Sequence, residues 1–187
     1  MECLVDDVII YGRTREQFLQ RVRLFLQRCR QHGVSLNRAK VQFMQSSVKF
    51  AGFIVSPNGY RPDPALTAAI RNFPAPAEIS GLRSFFGLVN QIAPFSDSIS
   101  RHMQTLRALL SAKRDFCWDD THQEAFLNAR EIMSSPATLA FYDPSLPTRL
   151  STDASRLHGF GFLLEQKQND DTWRLVQAGS RFVTDTE

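Results

Sequence analysis

Two adjacent carboxylates, Asp6 and Asp7, stand between short β-prone runs, Cys3-Leu4-Val5 and Val8-Ile9-Ile10-Tyr11. The spacing predicts a hairpin with Asp6-Asp7 as its two-residue turn. Such a turn prefers Asn-Gly or Asp-Gly, because its central residues often need positive φ. Asp-Asp tolerates that backbone only moderately and crowds two like charges, so a costly turn in a good strand context points to function. Paired carboxylates offer the hard oxygen ligands that Mg²⁺ takes alongside phosphate. Two such ions, about 3.5–4 Å apart, would stabilise both the attacking and the leaving oxygen of a phosphoryl transfer. The competing reading is a solvated turn, where Asp is common. Asp153 is a second candidate, since it falls inside the strand-like run Leu150–Ser155 and Asp is depleted in strand interiors. Its competing reading is a solvent-facing or turn-capping carboxylate.

A third candidate is electrostatic. Residues 13–40 hold eight Lys/Arg and one acid, Glu16, a local net of +7, whereas the whole chain carries only +3. Arg21 and Arg28 flank one edge of an apolar helical stripe, and Arg23 and Arg30 flank the other. Such side chains can snorkel, covering the core edge with their stems, or they can meet phosphates. His32, His102, His122 and His158 lack metal-ligand spacing. Gly159-Phe160-Gly161 is not a phosphate loop, because no basic helix start comes after it.

Local signals mark the elements that must position these groups. Thr14 with Gln17 forms a capping box for a helix whose stripe is Phe18, Leu19, Val22, Phe25, Leu26 and Cys29, ending at Gly33. Val48–Val55 reads as a strand, with a Ser56–Gly59 turn after it. Asp63-Pro64 caps a helix that Pro74 stops. Helices around Leu82–Val89 and Met103–Leu110 come next, then one predicted to start at Thr121 with Glu124 completing a capping box. Thr148–Ser155, Gly159–Gln166 and Trp173–Phe182 read as three strands in series, turning at Asn169-Asp170-Asp171. If the sheet keeps one face packed, the helix around Phe126 and Ile132 is the candidate cover.

Composition bounds the rest. The chain has 187 residues, 43% hydrophobic and 22% charged, which excludes wholesale disorder and allows one or two domains. Three widely spaced cysteines make neither a disulfide framework nor a zinc site, as expected for a reducing compartment. No apolar run reaches the ~18–20 residues of a membrane span. Asp6 and Asp7 interrupt the place of a signal peptide's apolar stretch. The expectation is an intracellular protein, cytoplasmic or nuclear, with no membrane partner.

Taken in order, these segments resemble the Pol polyprotein of gypsy-type long-terminal-repeat retrotransposons, where reverse transcriptase joins ribonuclease H. CLVDDVIIYGRT is similar to the polymerase active-site hairpin, GVSLNRAKVQF to the next palm segment, and SSVKFAGFIVSPNGYRPDP to the hairpin after that. AIRNFPAPAEISGLRSFFGLVNQIAPF resembles the thumb and the segment after it, and FCWDDTHQEAFLNAREIMSSPATLAFYDPSLP the connecting region. STDASRLHGFGFLLEQ and AGSRFVTDTE resemble the opening strands of ribonuclease H. Leu4, Val41 and Ala51 stand where the family usually has an aromatic residue, Cys and Leu.

The resemblance implies an α+β fold: an incomplete palm–thumb lobe (1–75), thumb and connection helices (76–147), and a truncated ribonuclease H-like β unit (148–187). It implies that Asp6 and Asp7 are catalytic and hold polymerase metal, and that Asp153 does so in the ribonuclease H site. Mg²⁺ is the expected cofactor and an RNA/DNA template-primer the expected partner. Lys40 matches a palm lysine near the leaving pyrophosphate, and Gly52 the element that positions the primer end. Family elements before Met1 and after Glu187 carry further catalytic carboxylates, so this chain alone is expected to be inactive and its exposed sheet to drive self-association. The alternative is a non-enzymatic, transposon-derived nucleic-acid-binding or interaction module.

Overall fold

The computed structural model describes residues 1–96, 98–110, 116–155 and 159–181, with Ser155 described by its backbone. It mixes helix and sheet, an α+β fold, in two compact units, Met1–Pro57 and Asn58–Glu187.

In the first unit, β1 (Glu2–Leu4) and β2 (Asp7–Ile9) pair antiparallel, with Leu4 opposite Asp7 and Cys3 opposite Val8. The turn is therefore Val5-Asp6, one residue earlier than the sequence pattern predicts. An apolar–Asp–Asp–apolar run fits either register, because Val5 is as β-prone as Val8. The observed register places Val5 at φ 52°, a costly conformation for a β-branched residue. Helix α1 (Arg15–Gln31) starts where Thr14 accepts the Gln17 N–H at 3.2 Å. Gln17 Oε1 reaches back to the Arg13 N–H at 2.8 Å, one residue beyond the usual box partner. The helix stops at Gly33, φ +67°, with the Val34 N–H closing on the Cys29 carbonyl at 2.8 Å. Cys29 is this unit's only buried residue among the described residues.

The predicted strand Val48–Val55 is two strands, β3 (Val48–Phe50) and β4 (Phe53–Ser56), with Phe50 opposite Phe53. It breaks because Ala51 and Gly52 both take positive φ, 51° and 83°, the backbone of a tight two-residue hairpin.

The second unit opens with β5 (Gly59–Pro62) and α2 (Pro64–Arg71), capped as predicted by Asp63, whose carboxylate accepts the Ala65 N–H at 3.0 Å. Next come the helices α3 (Ile79–Ile92), α4 (Ile99–Arg107) and α5 (Asp120–Ser134). Their core holds Leu82, Phe85, Val89, Met103, Phe126 and Met133, all buried, with Phe85 and Phe126 rings 4.8 Å apart. The α5 cap is Asp119 with His122, not Thr121 with Glu124: Asp119 Oδ1 accepts the His122 N–H at 3.0 Å. The reason is that Asp, a strong N-cap, precedes Thr121 by two residues and starts the helix first.

Strands β6 (Thr148–Ser155), β7 (Gly159–Lys167) and β8 (Trp173–Arg181) form an antiparallel meander. The end of the third predicted strand, Phe182, lies outside the described residues. Val176 and Ala178 are buried on the inner side, and β8 packs against the turn Ala93–Phe95. The Ala140 N–H also bonds the Leu175 carbonyl at 2.8 Å, while Leu139 exchanges hydrogen bonds with Tyr60 at 2.9 Å each way. The sheet is thus seated on Ala93–Phe95 and the 139–140 segment rather than on the helix around Phe126 and Ile132, whose Phe126 serves the helical core. Its other face leaves Leu150 and Phe160 more than half exposed, at 62% and 51%. No helix among the described residues is long and apolar enough to cross a membrane.

Candidate functional site

The β1–β2 hairpin lifts Asp6 and Asp7 to an exposed tip, and neither carboxylate has a hydrogen-bond or ion-pair partner among the described residues. Three contacts hold the hairpin. The Cys3 thiol donates to the Val5 carbonyl at 3.6 Å, across the strained turn. The Tyr11 hydroxyl donates to Glu2 Oε1 at 3.1 Å, closing the open end. Arg21 Nη1 donates to the Tyr11 carbonyl at 2.7 Å, and its guanidinium lies 5.6 Å from the Tyr11 ring centre. Arg21 thereby ties the hairpin exit to α1. Gly12 lets the chain pass there, since a Cβ on it would stand 2.7 Å from the Phe18 nitrogen. Sequence reading singled out Arg21 only as a charge. The spacing of Glu2, Tyr11 and Arg21 carries no motif that would reveal the contacts.

Asp153 lies in the second unit, on β6 opposite Gly161, which in turn faces Ser180 on β8. The carboxylate is exposed, without a partner among the described residues, and borders an open hollow of about 410 Å³. Gly161, lacking a side chain, leaves that hollow unfilled beside it. Asp6 and Asp7 thus belong to one unit and Asp153 to the other. Among the described residues no three His, Cys, Asp or Glu side chains cluster as a metal shell. Lys40 ends the exposed turn Arg38–Lys40, which Asn37 caps by accepting the Ala39 N–H at 3.0 Å. Gly52 sits at the tip of the β3–β4 hairpin. His32 ends α1 and His122 caps α5, structural positions for both, while His158 lies outside the described residues. Cys3, Cys29 and Cys117 are all free thiols.

Two family models match this chain, in chain order. Residues 1–55 match reverse transcriptase (RNA-dependent DNA polymerase). Residues 118–187 match the RNase H-like domain found in reverse transcriptase. The Tf2-3 transposon polyprotein of Schizosaccharomyces pombe is 30% identical over 171 residues, covering 91% of this chain and 13% of the relative. The chain is a reverse transcriptase–ribonuclease H segment of a gypsy-type retrotransposon Pol polyprotein. The Tf2-4 polyprotein of the same yeast matches to the same extent, so this Pol segment spans about an eighth of the curated relatives' length. The fold agrees. A foamy viral protease-reverse transcriptase in complex with RNA/DNA hybrid superposes with a TM-score of 0.79 at 18% identity, over 95% of this chain and 24% of that one. The same viral protein in complex with dsDNA gives 0.63 at 20% identity, over 76% and 29%.

Proposed function

We propose that Asp6 and Asp7 are the metal-holding pair of an RNA-directed DNA polymerase centre, and that Asp153 is one carboxylate of a ribonuclease H centre. The observation that carries this reading is the hairpin. Two adjacent carboxylates stand exposed and unpartnered beside a turn kept at an unfavourable φ, in the segment matching the polymerase family. Backbone strain of this kind persists where surrounding contacts enforce it, and Cys3, Tyr11 and Arg21 supply them here. On this reading residues 1–75 are the end of the palm and the start of the thumb, 76–147 thumb and connection, and 148–187 the ribonuclease H-like strands.

The family is divalent-metal dependent. Carboxylate oxygens fit Mg²⁺ in type; Asp6 and Asp7 supply two carboxylates, and Asp153 supplies one. When bound, the metal supplies charge neutralisation at the phosphoryl oxygens. The protein's own part is to present those carboxylates free of competing hydrogen bonds and to brace the hairpin through Tyr11 and Arg21. The partner is an RNA/DNA template-primer, with Lys40 and Gly52 as contacts on the polymerase side. The exposed outer face of the β6–β8 sheet, around Leu150 and Phe160, makes the isolated chain self-associate.

The test is Mg²⁺-dependent primer extension and hybrid cleavage by a polyprotein that carries this segment. Asp6→Asn abolishes extension and spares cleavage, and Asp153→Asn does the reverse. Wild-type extension by Asp6→Asn would refute the assignment. In the same assays the isolated 187-residue chain is expected to show neither activity.

A further inference from the structure

Of the eight basic residues between 13 and 40, Arg21 alone has a side-chain partner among the described residues. Arg21 is also the half-buried one, while Arg23, Arg28 and Arg30 are exposed. Snorkelling would draw their stems over the apolar stripe and leave them half-buried, so that reading does not account for them. Helix energetics account for only part of this charge. Arg28 and Arg30, in the last turn, suit the negative end of the helix dipole. Arg15 occupies the first turn, where a cation is disfavoured, with Arg13 just before it. The one acid of the stretch, Glu16, forms no ion pair among the described residues.

From this unneutralised charge we propose that the side of α1 carrying Arg23 and Arg30 is a second nucleic-acid contact that takes the phosphodiester backbone without reading bases. It rests on the template-primer reading above and adds to it a surface outside the carboxylate hairpin. Arg23 and Arg30 are seven residues apart, so they stand on nearly the same side of the helix, about 10.5 Å apart along its axis. Guanidinium is the side chain best matched to phosphate oxygens. Uncompensated like charge repels itself, and a polyanion relieves that repulsion. A membrane surface fits less well. A helix lying on lipid needs one coherent apolar face. Here the exposed leucines, Leu24 and Leu26 at 52% and 48%, are two positions apart and point to opposite sides.

The experiment measures binding of the 187-residue protein to a labelled oligothymidylate strand across a salt series. Arg23→Gln/Arg30→Gln is compared with Arg61→Gln/Arg83→Gln, an equal charge loss at exposed sites of the second unit. The α1 pair is expected to flatten the slope of log K against log salt by about 1.4, at ~0.7 per lost single-strand contact. The control pair leaves the slope unchanged. Arg→Lys at the same two α1 sites keeps the slope, which separates charge from folding, and circular dichroism checks helicity. Equal slopes for the two pairs would overturn the proposal. So would absence of binding, or binding to phosphatidylserine vesicles without binding to the oligonucleotide. The catalytic reading fails separately, through Asp6→Asn in primer extension, which this slope does not report.

Discussion

Gln166 is fully buried on β7, and its side chain is spent entirely on the segment that leads into the sheet. Its Oε1 accepts the Asp143 N–H at 2.9 Å, and its Nε2 donates to the Asp143 carbonyl at 2.7 Å and to Thr148 Oγ1 at 2.8 Å. Gln166→Met keeps the length and the burial and removes all three bonds. A neutral hydrogen bond contributes roughly 0.5–1.5 kcal/mol net, so three amount to roughly 1.5–4.5 kcal/mol. Asp143 and Thr148 are exposed and can turn to water once the amide is gone, which favours the lower half. The expected loss is therefore about 1.5–3 kcal/mol. Urea unfolding followed by tryptophan fluorescence reads it cleanly, because both tryptophans, Trp118 and Trp173, lie in the second unit. With a urea slope of about 1–3 kcal/mol per molar, the midpoint should fall by about 1 M. Gln177→Met, exposed on the neighbouring strand, is the control. If Gln166→Met shifts the midpoint no more than Gln177→Met does, the amide does not fasten the sheet and the reasoning is wrong.

Three further outcomes are expected. Gly59→Ala should unfold or severely weaken the second unit, by more than about 3 kcal/mol, since it forces a side chain onto a glycine-only backbone. That glycine has φ +124°, and a Cβ there would stand 2.0 Å from the Leu139 carbonyl oxygen; the same urea midpoint checks it. Hydrogen bonding from the His122 backbone holds the Asp119 carboxyl below its usual range. A depressed folded pKa contributes stability above the unfolded value and loses it as pH falls through the folded one. Amide protection at the start of α5, taken relative to the intrinsic exchange rate at each pH, should therefore fall on acidification through the carboxylate range in the native chain and stay constant in Asp119→Asn. Leu150→Lys/Phe160→Lys should lower the weight-average mass of the chain in sedimentation, and an unchanged mass would show that the outer sheet face does not mediate association.

Much of the architecture is written in local chemistry. The alternation of apolar and polar residues placed β6, β7 and β8 within a residue or so of their observed ends, and Asp63-Pro64 marked the start of α2. Turn and cap codes act over two to four residues, so they can be read without knowing what lies across the fold. Where two local solutions compete, that reading stops. The β1–β2 turn falls one residue earlier, and the α5 cap two residues earlier, than the sequence pattern predicts.

The candidate site divides the same way. Asp6, Asp7 and Asp153 stand out by residue type in contexts where an acid is costly, which a sequence alone displays. Their bracing does not show there: Glu2, Tyr11 and Arg21 meet because a hairpin and a helix fold back on each other. Gln166 looks like any strand glutamine until the 143–148 segment wraps over it. The inner face of the sheet is chosen by Tyr60, Leu139, Ala140 and Leu175, joined across more than a hundred residues of chain. Residue identity and short-range order settle which elements form and which acids are available for chemistry. Which face is buried and which amide is spent depend on partners distant in the chain, whose proximity no local periodicity encodes.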